Sequence, residues 1–479
     1  MKLLGRHGRL ILFLVVFFGW VDSTPLYGSV LGNLAAVRKV PFGPLPLWFL
    51  AAHAVGLVVA GYALDRWPQA ASWVAAAAAA GCALLSAALF VVPGHDWRFL
   101  LAAMGLVAAG AMVSWGRWFS TAVPAAELGR VFGLTAAAVM LVGKAFEVDG
   151  RLLGPGWSLA LSLLLPVSAC ALGFGFRPEV CRGEGPSPDE PSLWSAVWST
   201  RSRAVGVARF ALFIIFFSLV AGLSDRFFIA VPMTPYTNDT IRFLPYVGTV
   251  IAAGWLADRG RLMTPMIAGA ATLAVAFLIG AWADPAAQFV GLGLNGAALG
   301  LLESAPWLLL AANARPASAG RWFGWGLNLN VVPIFLGGAV TAGFHAMQPT
   351  MLGLLAAVAL LLAILSLHGV QDPLLPLRTQ RAAESGKSSP GGRPVEESAL
   401  ERFGRQFGGL LTARELEVGE LAVRGLSTRD LAKRLFISEN TVKTHLRNVY
   451  RKTGTTNRGD LLRTLVMAPT ADVDAVSER

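Results

Sequence analysis

Long apolar runs separated by short polar breaks fill the chain from Leu10 to Val370, and beyond that the pattern changes completely. Twelve runs approach or exceed the length of about 20 residues that a helix needs to span a bilayer. They fall at 10–30, 45–64, 70–93, 99–118, 128–148, 156–176, 206–228, 242–260, 263–282, 286–310, 322–344 and 349–369. Backbone in lipid must satisfy its own hydrogen bonds, so each run predicts a helix. The first follows Lys2, Arg6 and Arg9 as a signal peptide would. No small-residue cleavage pattern follows it, so it reads as the first membrane helix. The small residues from Ala75 to Gly81 suit close helix packing.

A connector, 177–203, separates the sixth and seventh runs. It holds Pro178, Pro186, Pro188 and Pro191 among mixed charges and reads as a surface loop. The halves on either side, 1–176 and 204–370, echo each other. RLILFLVVF from Arg9 matches RFALFIIFF from Arg209, GYALDR from Gly61 matches GWLADRGR from Gly254, and GRVFG from Gly129 matches GRWFG from Gly320. The three pairs keep the same order, which predicts a duplicated six-helix unit, an architecture of transporters.

The distribution of Lys and Arg sets the expected orientation. With the N-terminus in the cytoplasm, that side collects Lys2, Arg6, Arg66, Arg130, Arg177, Arg182, Arg201, Arg203, Arg259, Arg261, Arg315 and Arg321. The outer side holds Arg38, Lys39, Arg98, Arg151 and Arg242. An even number of spans returns the C-terminus to the cytoplasm.

Composition agrees. Of 479 residues, 55% are hydrophobic and only 14% charged, with a mean hydropathy of +0.57. A soluble chain is about 25% charged, so most of this one belongs in lipid. The net charge of +11 suits nucleic acid, an anionic membrane surface, or both. Cys82, Cys170 and Cys181 lack metal-ligand spacing and are too few for a disulfide framework. There is no Walker loop, zinc spacing or Ser/His/Asp signature, so the expectation is a non-enzyme without cofactor or metal.

After Val370 comes a linker, 371–400, with Pro373, Pro376, Pro390 and Pro394 around a Ser/Gly/Lys run, which reads as flexible. A small all-α domain follows at 401–468, and a polar tail at 469–479. Its core stretch, Leu411 to Leu461, predicts three helices from capping chemistry. Thr412 with Glu415 forms a capping box, and Gly425 stops the first helix near Arg424. Ser427 caps a second helix that ends near Leu435. Ser438 caps a third, from Glu439 to Lys452, stopped by Gly454. Two helices joined by a turn of about four residues have helix-turn-helix spacing. In the third helix Val442, Leu446 and Val449 share one face, while Lys443, Thr444, Arg447, Arg451 and Lys452 lie on the other. A cationic helix face is what reading the major groove requires. Periodicity alone leaves a merely solvated basic face equally open.

The pieces LTARELEV, RGLSTRDLAKRLFIS and ENTVKTHLRNVYRKTG, with Asn457 and Arg458, closely resemble the LuxR-type helix-turn-helix family of bacterial transcription regulators. That resemblance implies a bacterial protein whose third helix enters the major groove of double-stranded DNA. It implies base contacts from Lys443, Thr444 and Arg447, and backbone contacts from Thr441, His445 and Arg451. It also implies a homodimer through a fourth helix at about Arg458 to Val466.

Gly61, Asp65 and Arg66, and again Gly254, Asp258 and Arg259, resemble the loop motif of the major facilitator superfamily between its second and third helices and its eighth and ninth. The resemblance implies a two-half membrane fold in which the Asp caps a neighbouring helix and the Arg joins an interdomain gating network. The first copy departs from the pattern at Trp67, Pro68 and Gln69. Together the two resemblances imply an all-α protein of the bacterial inner membrane, multi-pass, with both termini cytoplasmic.

Ionisable groups within lipid are costly and point to function. Asp22, Lys144, Glu147, Asp225, Arg226 and Glu303 fall within or near the spans, with Asn295, Asn328 and Asn330 as amides. Lys144 and Glu147 can pair along one helix. Glu303 is the foremost candidate for contact with an unknown small-molecule ligand, with Asp22 and Asn328 beside it; a structural hydrogen bond is the alternative. Trp255, Trp307, Trp322 and Trp325 read as an interfacial belt rather than a cavity lining.

Overall fold

The computed structural model describes residues 2–26, 29–124, 126–152, 155–177, 201–229, 235–281, 284–314, 317–343, 349–367, 403, 407, 409–423, 428–435, 437–457, 460, 461 and 464. Most of the connector, the linker and the tail lie outside the described residues, as do Arg424, Gly425 and Ser427. The side chains of Lys144, Glu147, Asp225 and Arg226 do too. Two compact units emerge, Met1–Ala383 and Glu384–Arg479.

The first unit is helical throughout its described length. Its first half comprises α1 (Lys2–Ser23), α2 (Ser29–Arg38), α3 (Leu45–Arg66), α4 (Ala71–Val91), α5 (Trp97–Ala122), α6 (Leu128–Leu152) and α7 (Pro155–Gly173). Its second half comprises α8 (Arg201–Ile229), α9 (Pro235–Asp258), α10 (Met263–Gly280), α11 (Pro285–Asn313), α12 (Ala319–Gly343) and α13 (Pro349–Ser366). Leaving aside the short α2, each half has six long helices among the described residues, as the echoing motifs require. Among the described residues, seven of these helices are long and apolar enough to cross a membrane, and four more stretches are apolar but shorter.

The first span differs from its expectation. The run at 10–30 is not one helix, because α1 ends at Ser23 and the separate α2 follows. The cause is Pro25, which fixes its own φ and disfavours helical backbone at Thr24. Arg38, at the end of α2, donates to the Phe90 carbonyl at 2.6 Å, and Lys39 turns the chain with a φ of 56°.

The halves meet along two helix pairs, α3 on α12 and α6 on α9. Both contacts run along glycines. A Cβ at Gly61, Gly320 or Gly324 would collide with facing backbone of α12 or α3, and one at Gly129, Gly133 or Gly254 with facing backbone of α9 or α6. The GRVFG and GRWFG echoes thus have a physical reason: each lets the motif helix of the opposite half approach backbone to backbone.

The second unit holds α14 (Ala413–Val423), α15 (Thr428–Leu435) and α16 (Glu439–Thr453). The capping box forms in both directions. Thr412 N donates to Glu415 Oε2 at 2.9 Å and Glu415 N to Thr412 Oγ1 at 3.3 Å. Ser438 Oγ accepts from Thr441 N at 3.1 Å, and Gly454 closes α16 with a φ of 70°. Val418, Leu421, Ala422, Leu431, Leu435 and Val442 form one buried cluster, and Phe403, Phe407, Leu411, Val449 and Leu461 a second. This unit therefore has its own core. Of the fourth helix only Asp460, Leu461 and Thr464 are described, all helical, with Asp460 N donating to Asn457 Oδ1 at 3.0 Å.

Candidate functional site

In the small unit, burial of Val442 and Val449 fixes the rotation of α16 about its axis. Thr441, Lys443, Thr444, Arg447 and Arg451 are consequently exposed, and His445 is half-buried. Lys443, Arg447 and Arg451 line a concave surface together with Thr428, Tyr450 and Thr456. Sequence reasoning missed Thr428 and Thr456. They come from the first turn of α15 and the loop after α16, so only the fold brings them beside the cations.

Three of the polar side chains expected on the outer face of this helix already have partners. Thr441 Oγ1 lies 2.8 Å from Ser438 Oγ, and Thr444 Oγ1 donates to the Asn440 carbonyl at 3.0 Å. Lys452, expected on the cationic face, is instead engaged within the head, with its Nζ 2.7 Å from Glu415 Oε2. That hydrogen bond, with those from Thr412, holds the Glu415 carboxyl down at about 2. The pair ties the start of α14 to the end of α16.

In the membrane unit, the two motif aspartates do the same work, one from each half. Asp258 ends α9 and accepts from Gly129 N at 2.7 Å, Arg130 N at 3.0 Å and Arg130 Nε at 2.9 Å. Asp65 near the end of α3 accepts from Gly320 N at 2.7 Å, Arg321 N at 3.1 Å and Arg321 Nε at 2.8 Å. Each carboxylate caps the first turn of a helix in the other half, where unpaired N–H groups and the helix dipole favour an anion. The joint of the first copy is as complete as that of the second, despite its departure at Trp67 to Gln69.

The arginines in these joints differ from the expectation. The guanidinium groups that meet Asp65 and Asp258 belong to Arg321 and Arg130, from GRWFG and GRVFG. Arg259 instead stacks on Trp255 of its own helix, 3.3 Å from the ring centroid. Arg117 adds a second cation to the first joint, 3.7 Å from Asp65.

Glu303 on α11 accepts a hydrogen bond from the Tyr246 hydroxyl on α9. Asp22 and Arg242 lie close enough to act electrostatically on this pair. Asp22 and Glu303, from different halves, thus lie within electrostatic reach of each other. Asn328 is elsewhere: its Nδ2 donates to the Ala54 and Gly324 carbonyls, each at 3.0 Å, and joins α12 to α3.

The tryptophans divide. Trp255 and Trp325 are exposed, as a belt predicts, but Trp307 is 6% exposed and sits within aromatic packing. Trp115, Phe119, Phe132 and Phe323 complete that group.

Comparisons with known proteins fall into two sets that meet different parts of the chain. The family described as bacterial regulatory proteins, luxR family, matches residues 409–465. An HTH-type transcriptional regulator of Mycobacterium tuberculosis is 50% identical over 54 residues, 11% of this chain and 6% of that protein. The CsgBAC operon transcriptional regulatory protein of Escherichia coli is 42% identical over 64 residues, 13% of this chain and 30% of that protein. Spore germination protein GerE of Bacillus subtilis is 49% identical over 49 residues, 10% of this chain and 66% of that protein. The chain therefore spans only a small part of the first of these relatives.

Solved structures match the rest. The human organic anion transporter MFSD10 superposes with a TM-score of 0.56 at 17% identity, covering 75% of this chain and 97% of that one. The major facilitator superfamily transporter FucP in its outward conformation gives 0.55 at 15% identity, covering 76% and 98%. The proton:xylose symporter XylE gives 0.56 at 12% identity, covering 78% and 98%. At such identities the likeness establishes the fold.

Fold and sites together define a multi-pass membrane protein with a helix-turn-helix domain, and such a domain implies DNA binding. More specifically, the chain carries a LuxR-type helix-turn-helix domain at 409–465 behind an N-terminal helical domain with the fold of the major facilitator superfamily.

Proposed function

We propose that this chain is a membrane-bound transcription regulator, in which the transporter-like unit senses a small molecule and controls a DNA-binding head in the cytoplasm. The carrying observation is the exposed row Lys443, Arg447 and Arg451 on a helix whose opposite face is buried. Lys443, Thr444 and Arg447 take the base edges, and Thr441, His445 and Arg451 the phosphates. Two heads pair through the fourth helix to read half-sites about one helical turn apart. The protein lies in the bacterial inner membrane with both termini cytoplasmic. The ligand acts by favouring one arrangement of the two halves, which changes how the heads are presented.

The test is a reporter gene driven by chromosomal fragments crosslinked to the intact protein. The expected result is a ligand-dependent output from the full chain and a constant output from residues 400–479 alone. Identical outputs from both would reduce the membrane unit to an anchor.

The cluster of Asp22, Arg242, Tyr246 and Glu303 favours a second reading, an active secondary transporter carrying a regulatory head. Titratable carboxylates from the two halves within electrostatic reach of each other suit ion-coupled transport. Uptake of a candidate solute into vesicles, lost on Glu303→Gln, would establish it.

A further inference from the structure

Charge is spread unevenly over the C-terminal part of the chain. Between Leu367, the last described residue of the membrane unit, and Phe403, the first of the head, 35 residues carry five Lys or Arg and five Asp or Glu. From 403 to 468 the count is twelve against six, a net charge of +6. The cationic surplus therefore belongs to the head, and within the head it is polarised. Helix α14 carries Glu415, Glu417 and Glu420 against Arg414, whereas α16 carries Lys443, Arg447, Arg451 and Lys452 against Glu439.

Among the described residues, the ion pairs of the head join Arg414 to Glu417 and Lys452 to Glu415. Lys443, Arg447 and Arg451 take part in neither and are exposed. Spaced four residues apart, they form a row on one face of α16. The concave surface that they line has a volume of about 530 Å³.

A duplex is one polyanion that fits such a row, and a leaflet of anionic phospholipids is another. Both offer phosphate oxygens on a surface of negative charge. They differ in availability. The 35 intervening residues reach at most about 120 Å even when fully extended. The head thus stays close to the bilayer that holds α1 to α13, and a tethered partner is met at high effective concentration. Each Lys or Arg brought to an anionic leaflet favours association about fivefold, so the row of three is worth about 100-fold.

We propose that the row of Lys443, Arg447 and Arg451 docks on the anionic leaflet of the membrane that anchors the chain, so that lipid and DNA compete for one face and the lipid-docked head is the silent state. The competition rests on the DNA-binding role proposed above; the docking itself does not. Docking through α16 fixes an orientation, which a general attraction of the whole head would lack.

The test uses the full chain in lipid nanodiscs, with Cys82, Cys170 and Cys181 replaced by serine. A donor dye is placed at Asn440→Cys, beside the row, or at Ala413→Cys, at the start of α14; both positions are exposed. Acceptor dyes sit on the lipid headgroups. The discs contain phosphatidylcholine alone or an equal mixture with phosphatidylglycerol. Energy transfer from Asn440→Cys should be high only in the mixed discs, and higher there than from Ala413→Cys. It should fall at about 1 M salt, where the Debye length is about 3 Å. Lys443→Gln/Arg447→Gln/Arg451→Gln should lower the ratio of docked to free heads about 10-fold or more. The charge-conserving Arg447→Lys/Arg451→Lys should dock as the parent chain does. Saturating duplex DNA should release the docked head. Equal transfer in both kinds of disc, an unaltered ratio in the triple variant, or equal rises at Asn440 and Ala413 would overturn docking through this face. Transfer that persists under saturating duplex would overturn the competition. Docking that follows phosphatidylglycerol while no duplex binds leaves the lipid surface standing and removes the DNA-binding role; duplex binding without docking does the opposite.

Discussion

The head caps α14 and α16 from residues beside them, whereas two helices of the membrane unit are capped from the other half. In the head, Thr412 and Glu415 cap each other across three residues, and Ser438 receives the amide of Thr441 at the same spacing. In the membrane unit, the first turns of α6 and α12 are capped by Asp258 and Asp65, which lie 129 and 255 residues away from the glycines they bind. Local caps let a small unit form its helices alone. Distant caps make a helix start depend on the position of another half. One arrangement suits a domain that must keep a fixed surface for DNA. The other ties the start of a helix in one half to the end of a helix in the other.

The largest effect should come at the fixed surface. Lys443→Ala with Arg447→Ala should lower specific DNA affinity about 100-fold or more, since a bidentate base contact is worth about 1–3 kcal/mol. Fluorescence anisotropy with a recovered operator fragment measures this. Both side chains are exposed, so circular dichroism should show the head still folded. Operator binding that survives would count against the docking of α16.

The next effect concerns the distant caps. Asp258→Ala strips three donors of their acceptor; the Arg130 donors are exposed, but Gly129 is buried, and a buried donor left unpaired costs about 1–3 kcal/mol. Hydrogen exchange at Gly129 and Arg130 should accelerate by more than an order of magnitude, while Gly320 and Arg321 stay protected. Asp65→Ala should do the reverse. Equal acceleration at both joints in either variant would mean that they are not separate latches.

Acid should reveal the tie between Glu415 and Lys452. The Glu415 carboxyl is held at about 2, below its ordinary 4.5. A depressed folded value means that its contribution is complete above 4.5 and is lost as the pH falls towards 2. The helical signal of the head should weaken across that window, and Lys452→Met should move the loss to higher pH. A titration curve that Lys452→Met leaves in place would assign the acid sensitivity to another group.

The smallest effect belongs to a single local cap. Ser438→Ala should cost about 1 kcal/mol, a fall of roughly 4–8 °C in the midpoint of a head of this size. A fall no larger than that of an exposed control such as Asn440→Ala would show that the cap is dispensable.

This difference in capping also decides how much could be read from the residues. The first and third head helices were legible because Thr412, Glu415, Ser438 and Gly454 stand beside the turns that they make. Most of the membrane helices were legible because lipid demands long apolar runs; Pro25 was the local signal that the first run would break. The GRVFG and GRWFG echoes were visible as repeats, but not as the acceptors of Asp258 and Asp65, because contacts over such separations leave no local pattern. Trp307 read as belt for the same reason: hydropathy does not distinguish a ring facing lipid from one facing another half. Lys452 falls on the cationic face by helical period, and only the packing of α14 against α16 turns it towards Glu415.

In the proposed function, Lys443 and Arg447 grip DNA from a chain whose N-terminal unit sits in a membrane. Binding of the intact protein, reconstituted in lipid nanodiscs, to operator and to unrelated duplex across a salt series tests it most directly. The account predicts tighter binding to the operator, with an affinity that falls steeply with salt, by roughly 0.9 in the log–log slope per phosphate neutralised. It also predicts loss of the operator preference in Lys443→Ala/Arg447→Ala. Absence of binding at low salt, or an undiminished preference in the double variant, would contradict it.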